Sequence, residues 1–247
     1  MPNLLKPYSH LKRDGKEGFV LREESEAVTG ALFDGACDAE SEVAGRGRIL
    51  RFPLGQGEGV LRTYQRGGLV ARLLGDRYCT NRMEQEFRVT AYLHQCGAPV
   101  PEPLGVAWER RGLFYRGALA TRAIPGETLL EYLQRGEAAP DVLRACGEAV
   151  RAIHDAGVWH ADLQVKNILV GESGVWVIDF DNARRGKPPS TFNRARNLLR
   201  FCRSLDKHGQ SLDNFTTLRE GYGKLGLPWW LSALYRLRGT VSDALQK

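Results

Sequence analysis

The sequence has no apolar run near the roughly 20 residues needed to cross a bilayer, which excludes a helical membrane span. Its first residues, MPNLLKPYSHLKRDGKEG, are polar and mixed in charge. They lack the apolar middle of a secretory signal, so the chain is expected in the cytosol or on a membrane face. Cysteine is sparse. Its five residues, Cys37, Cys79, Cys96, Cys146 and Cys202, are widely scattered and form no CxxC pair. That argues against zinc ribbons and redox pairs and predicts free thiols packed as small hydrophobes. There is no internal repeat, no low-complexity tract and no recognisable RNA- or DNA-binding motif, so no nucleic-acid partner is expected.

What is present is enough for a sizeable core and a basic surface. Of 247 residues 43% are hydrophobic, the formal net charge is +6 and the pI is about 9.2. A chain of this length makes one large domain or two lobes. The charge favours an anionic partner such as a nucleotide, a phosphorylated sugar or an acidic membrane.

The first third alternates short apolar runs with glycine turns. RILRF, GVLRTY and LVARLL, separated by PLGQGE and QRGG, read as a meander of strands. The acidic segment DGACDAESE before them is expected to be a short helix or a loop. NRMEQEFRVTAYLHQCG has helical spacing, with Met83, Phe87, Tyr92 and Leu93 on one broad face and Gly97 as the stop. A helix capped by Thr128 should follow the turn at Pro125-Gly126. Asp141 is expected to cap the long amphipathic helix DVLRACGEAVRAIHDAG, which Gly157 ends. His154, inside it, is expected to be packed rather than catalytic. Two short strands, around ILV and VWVID, come next, and the chain from Pro188 is mainly helical. Strands first and helices second predict an α+β protein of two lobes, with a linker at 121–126.

One constellation carries chemistry. WHADLQVKNILV places His160, Asp162 and Asn167 between the long helix and a strand, and VWVIDFDN ends a strand with Asp179 and Asp181. Three oxygen-bearing side chains, those of Asp162, Asn167 and Asp179, can thus converge from two adjacent loops. Hard oxygen donors suit magnesium. Phosphoryl transfer needs a metal at the phosphates and a carboxylate near the attacking hydroxyl.

HADLQVKN resembles the catalytic-loop pattern of the protein-kinase-like superfamily, and VIDFD stands where kinases carry D-F-G. The resemblance implies a bilobal kinase-like fold: a mainly antiparallel β lobe over 1–120, a hinge at 121–126 and a helical catalytic lobe over 127–247. It makes Asp162 the catalytic base and gives Asn167 and Asp179 the Mg2+ that accompanies ATP, with His160 fixing the loop. Gly45 and Gly47 of GRGR would form the glycine-rich loop over the phosphates, although Leu50 stands at the third glycine position; an ordinary hairpin turn is the alternative there. Arg62 of GVLRTY occupies the place of the usual lysine, an exchange that a bidentate guanidinium permits. Glu86 is expected to orient it in preference to Glu84. Ala161 before the base, and the absence of a downstream A-P-E, argue against a phosphorylation-switched protein kinase. Asp181, two residues beyond Asp179 along a strand, would point to the same side and serve metal or substrate, or else cap the strand end.

The stretches LRTYQRGGLVARLLGDRY, EFRVTAYLHQCGAPVPEPLG, GVWHADLQVKNILV and VWVIDFDNARRG look like those of the bacterial 3-deoxy-D-manno-octulosonic acid (Kdo) kinases, members of the lipopolysaccharide core kinases. The likeness covers about residues 30 to 240. It implies ATP-dependent phosphorylation of the 4-hydroxyl of Kdo on a lipid A precursor by a peripheral enzyme on the cytoplasmic face of the inner membrane. Between 184 and 207 eight basic residues face one acid, Asp206. Arg196, Arg200, Arg203 and Lys207 form a helical stripe. Arg184 and Arg185, nearest the metal loop, are the expected contacts to an anionic acceptor. The aromatic segment LPWWLSALYRLRG is expected to complete the helical core, or else to rest on a membrane. A heptose kinase or a small-molecule phosphotransferase of the same fold is the alternative. A catalytically idle module binding nucleic acid or acidic membrane is the non-enzymatic one; the intact Asp162, Asn167 and Asp179 set weighs against it.

Overall fold

The computed structural model describes residues 4–36, 38–44, 47–63, 80–112 and 114–225. They fall into two compact units, Met1–Cys96 with Pro101–Ile124, and Gly97–Val100 with Pro125–Lys247. The first is built on strands and the second mainly on helices, an α+β arrangement. No described helix is long and apolar enough to cross a membrane.

The first unit opens with a hairpin that the hydrophobic pattern did not announce, β1 (Tyr8–Arg13) and β2 (Lys16–Leu21). Asp14 and Gly15 turn it at φ 51 and 78, with Arg13 opposite Lys16. An Asp-Gly pair is the sequence signal for such a turn, because both central residues need positive φ. A short helix, α1 (Ser25–Thr29), follows. Of the acidic segment expected as a short helix or loop, the part from Asp38 is a strand: Asp38–Ala44 form β3, paired with β4 (Gly47–Pro53). Next come β5 (Glu58–Thr63), helix α2 (Arg82–Gln95), β6 (Pro103–Arg111) and β7 (Phe114–Arg122). The strands form one antiparallel sheet in the order β1-β2-β6-β7-β5-β4-β3. The expected strand LVARLL lies outside the described residues.

Helix α2 closes the core of this sheet. Asn81 caps it, its side chain accepting from the Glu84 N–H at 3.2 Å, and Gly97 leaves it at φ 72. Met83, Phe87 and Ala91, four residues apart, are sealed from solvent against Val20, Leu104 and Val106. Phe87 stacks on Phe19 and meets the edge of Tyr8. Burying one such ring contributes about 1.5–3 kcal/mol, so this face fixes where Glu86 lies.

In the second unit Thr128 caps α3 (Leu129–Gln134) through a capping box with Glu131. Helix α4 (Pro140–Asp155) starts differently from expectation: Ala139 is the cap residue, and Asp141 pairs with Arg144 at 2.7 Å. Proline already suits the first helical turn, where its missing N–H costs nothing. Gly157 then turns the chain at φ 81. A three-stranded sheet joins β8 (Glu127–Thr128) to the hairpin of β10 (Ile168–Gly171) and β11 (Gly174–Val177). A separate short ladder pairs β9 (Val158–Trp159) with β12 (Arg184–Arg185). Helices α5 (Thr191–Lys207) and α6 (Leu212–Tyr222) complete the unit. Gly147 of α4 and Gly221 of α6 let the two backbones touch: a Cβ on either would lie 1.9 or 2.0 Å from a carbonyl of the other helix. That close crossing carries Tyr222 onto the inner face of α4. The aromatic segment LPWWLSALYRLRG lies outside the described residues.

Candidate active site

The loop after β9 is held by a buried histidine. His160 is 1% exposed. One ring nitrogen, Nε2, lies 3.0 Å from the Ile178 carbonyl, and the other, Nδ1, lies 3.1 Å from the Asp162 backbone N–H. A carbonyl only accepts and an amide N–H only donates, so the ring is the neutral Nε2–H tautomer. Burial pushes its pKa below the ordinary value, against the pull of the Asp179 and Asp162 charges. His160 is therefore a neutral brace. Phe180 packs on it at 5.0 Å.

Asn167 ties the same pieces a second time. Its Nδ2 donates to the Asp162 carbonyl at 2.8 Å, and its own carbonyl accepts from the Ile178 N–H at 3.0 Å. Asp162, Asn167 and the residue before Asp179 thus belong to one hydrogen-bonded knot. Asp179 itself has φ 66, an unusual backbone for a residue with a Cβ. Strain of this kind persists only where neighbours hold it, and here the knot does so. The strand geometry expected for Asp181 is not found. β11 ends at Val177, and residues 180–183 form a turn closed by the Ala183 N–H on the Phe180 carbonyl at 2.9 Å, with Asn182 at φ 59. Asp179 and Asp181 do not alternate along a strand, so no shared side follows from strand periodicity.

Helix α5 supports this loop with one face. The Ser204 hydroxyl accepts from the Val165 N–H at 3.2 Å, and Arg200 reaches an Asp162 carboxylate oxygen at 3.5 Å. Asn197, fully buried, donates through Nδ2 to the His160 carbonyl at 2.7 Å. Its Oδ1 accepts from His154 Nε2 at 3.0 Å, whose Nδ1 meets the Tyr222 hydroxyl at 2.9 Å. His154 is thus packed, as expected, but also bonded at both nitrogens. Burial, the largest influence, pushes its pKa down to about 4. Sequence reasoning missed Asn197. A lone amide amid the apolar positions of NLLRF was the available signal, since buried amides are retained with partners.

In the first unit Arg62 forms an ion pair with Glu86, whose side chain is 3% exposed. Glu84 is engaged elsewhere, with Arg88 and Asn81. Gly47 begins β4 opposite Ala44, and Gly45 lies outside the described residues. Arg184 and Arg185 stand exposed on β12, with the Arg184 guanidinium 5.9 Å from the centre of the Trp159 ring.

The model of the lipopolysaccharide kinase (Kdo/WaaP) family matches residues 37–222. The chain belongs to this family. It is 37% identical over 204 residues to a 3-deoxy-D-manno-octulosonic acid kinase of Xylella fastidiosa (strain 9a5c), covering 78% of this chain and 81% of that one. Proteins of the same name from Vibrio cholerae serotype O1 and Xanthomonas axonopodis pv. citri are 35% and 40% identical, over 72% and 69% of their lengths. Among solved structures, WaaP in complex with acyl carrier protein is similar with a TM-score of 0.57 at 16% identity, covering 83% of this chain and 89% of that one. A spectinomycin phosphotransferase in complex with ADP and spectinomycin has a TM-score of 0.56 at 11% identity, covering 85% and 82%. These two likenesses establish the kinase-like fold.

Kinase chemistry uses ATP, and phosphoryl transfer places a divalent ion at the phosphates; the oxygen-bearing residues here could hold one. Among the described residues no group of three or more His, Cys, Asp or Glu side chains could hold a metal alone. Asn167 and Asp179 offer oxygen donors instead, and the Nδ2 bond to Asp162 commits the nitrogen of Asn167, so that Oδ1 is the atom it could offer a metal. Few protein oxygens, completed by phosphates and water, is the manner in which magnesium is bound.

Proposed function

We propose that this chain is an ATP-dependent kinase that phosphorylates the 4-hydroxyl of Kdo on a lipid A precursor, as a peripheral enzyme on the cytoplasmic face of the inner membrane. The observation that carries the chemistry is the knot around Asp162, Asn167 and Ile178–Asp179. The relatives named for Kdo phosphorylation support the acceptor.

In this reading Asp162 takes the proton of the acceptor hydroxyl as its oxygen bonds to phosphorus and the bond to the ADP oxygen breaks. Arg200 steadies the Asp162 carboxylate, and the Asn167 and His160 bonds fix the backbone that carries it. Asn167 and Asp179 would hold Mg2+, which supplies charge neutralisation at the phosphates. Arg62, oriented by Glu86, would grip phosphate oxygens, and Gly45 and Gly47 would let backbone approach them. Arg184 and Arg185 would receive the anionic acceptor. The sheet unit would thus serve the nucleotide and the helical unit the transfer, with residues 121–126 as the hinge.

The test is incubation with labelled ATP and a Kdo-bearing lipid A precursor, followed by mass spectrometry. One added phosphate on Kdo is expected from the wild type and none from Asp162→Ala, which should fold normally. Label found on heptose alone would make the enzyme a heptose kinase. No transfer to any glycolipid, or full activity of Asp162→Ala, would refute the reading.

A further inference from the structure

A cavity of about 350 Å³ opens beside the β9·β12 ladder, lined by Trp159, Arg184, Arg185, Lys187 and Arg196. Four of its side chains are cationic, and none of those lining it is acidic. Among the described residues Arg184, Lys187 and Arg196 have no carboxylate partner. Nearby Arg194 shows the contrast, since Asp155 meets it at 2.6 Å. Like charges gathered at one concavity repel and raise the local concentration of anions.

The cavity also has a place relative to the chemistry. Trp159 lies three residues before Asp162, and Arg184 five residues after Asp179. Arg196 sits one helical turn from Arg200, which reaches the Asp162 carboxylate. Residues four apart on a helix have Cβ atoms about 5–6 Å from one another. The cavity is thus built from the segments next to Asp162 and Asp179 and from the helix that carries Arg200. The indole N–H of Trp159 is buried and has no acceptor among the described residues.

We propose that this cavity is an oxyanion subsite for the acceptor, in which Arg184, Lys187 and Arg196 hold a carboxylate or phosphate of the glycolipid while its hydroxyl meets Asp162. The inference rests on the glycolipid kinase reading and adds the group that is recognised. Arg guanidinium forks bind either oxyanion bidentately, and Lys187 adds a point charge.

The variant Lys187→Ala/Arg196→Ala changes two exposed side chains. It should raise the KM for the acceptor roughly ten- to hundred-fold, since two exposed charge contacts are lost while Arg184 remains. The KM for ATP and the kcat should stay close to wild type. Two modified acceptors identify the source: one esterified at the sugar carboxylate, one stripped of lipid A phosphates. The double substitution should cost nothing further on whichever acceptor lacks the recognised group. Equal further losses on both acceptors, an unchanged acceptor KM, or a shifted ATP KM would overturn the subsite. Titration of wild type and variant with the glycolipid in neutral detergent, without ATP, reads binding independently of turnover. Weaker binding by the variant supports the subsite even where no phosphate is transferred, which would count only against the kinase reading. Equal binding, or no binding by either protein, overturns it.

Discussion

Replacing Asn197 by leucine removes both ends of the link between His154 and the His160 carbonyl while nearly conserving volume. The two bonds measure 3.0 and 2.7 Å, and all three residues are at most 1% exposed. Water cannot take the place of the amide there. A buried donor or acceptor left without a partner costs about 1–3 kcal/mol, so two orphans cost about 2–6 kcal/mol, part of it offset by the added apolar contact. Against a typical total stability of about 5–15 kcal/mol, that is a large fraction. The loop also loses one of its three links to α5, and a misplacement of Asp162 by about 1 Å lowers turnover by about 10²-fold. Asn197→Asp keeps an acceptor for His154 but buries a carboxylate with one oxygen against the His160 carbonyl, so it should cost at least as much as Asn197→Leu. Urea unfolding followed by circular dichroism gives the stability, and kcat at a temperature where each variant is folded gives the positioning. If Asn197→Leu stays within about 1 kcal/mol of wild type and keeps its kcat, the link does not hold the loop.

Acid should weaken the fold through His154. Its folded pKa of about 4 lies below the ordinary 6.5, so the unfolded chain binds more protons between those values and stability falls as pH drops through them. Between pH 7.5 and 5 the loss from this group is about 2 kcal/mol. The urea midpoint against pH should show it, and His154→Phe should flatten that slope; an unchanged slope would contradict the assignment. Glu86→Gln keeps a hydrogen-bonding group beside Arg62 but removes the charge. It should raise the KM for ATP about tenfold with the acceptor KM unchanged, and an unaltered ATP KM would remove Arg62 from phosphate binding.

Much of the frame was legible because it is local. Met83, Phe87 and Leu93, read from helical spacing, are buried on α2 while Tyr92 is half-buried, and Thr128 starts a helix as its residue type indicates. Asp14-Gly15 specified the first hairpin just as clearly, yet weak alternation in YSHLKR hid the strand. Asp141 was misread because Pro140 has already begun the helix and the Asp141 carboxylate accepts from Arg144 instead of capping it. The meeting of Arg62 with Glu86 could be anticipated from residue types in order. The partners of Asn197 could not, because they lie 37 and 43 residues away and no short-range pattern encodes them. The same holds for the cavity at Trp159, which exists only once β9 and β12 pair.

The arginine at position 62 sets the limits of chemical probing as well. A guanidinium stays protonated throughout the accessible pH range and has no nucleophilic lone pair to offer. Acylating reagents that find kinases by modifying an amine beside bound nucleotide would leave this side chain untouched. A dicarbonyl warhead selective for arginine is the reagent suited to this side chain.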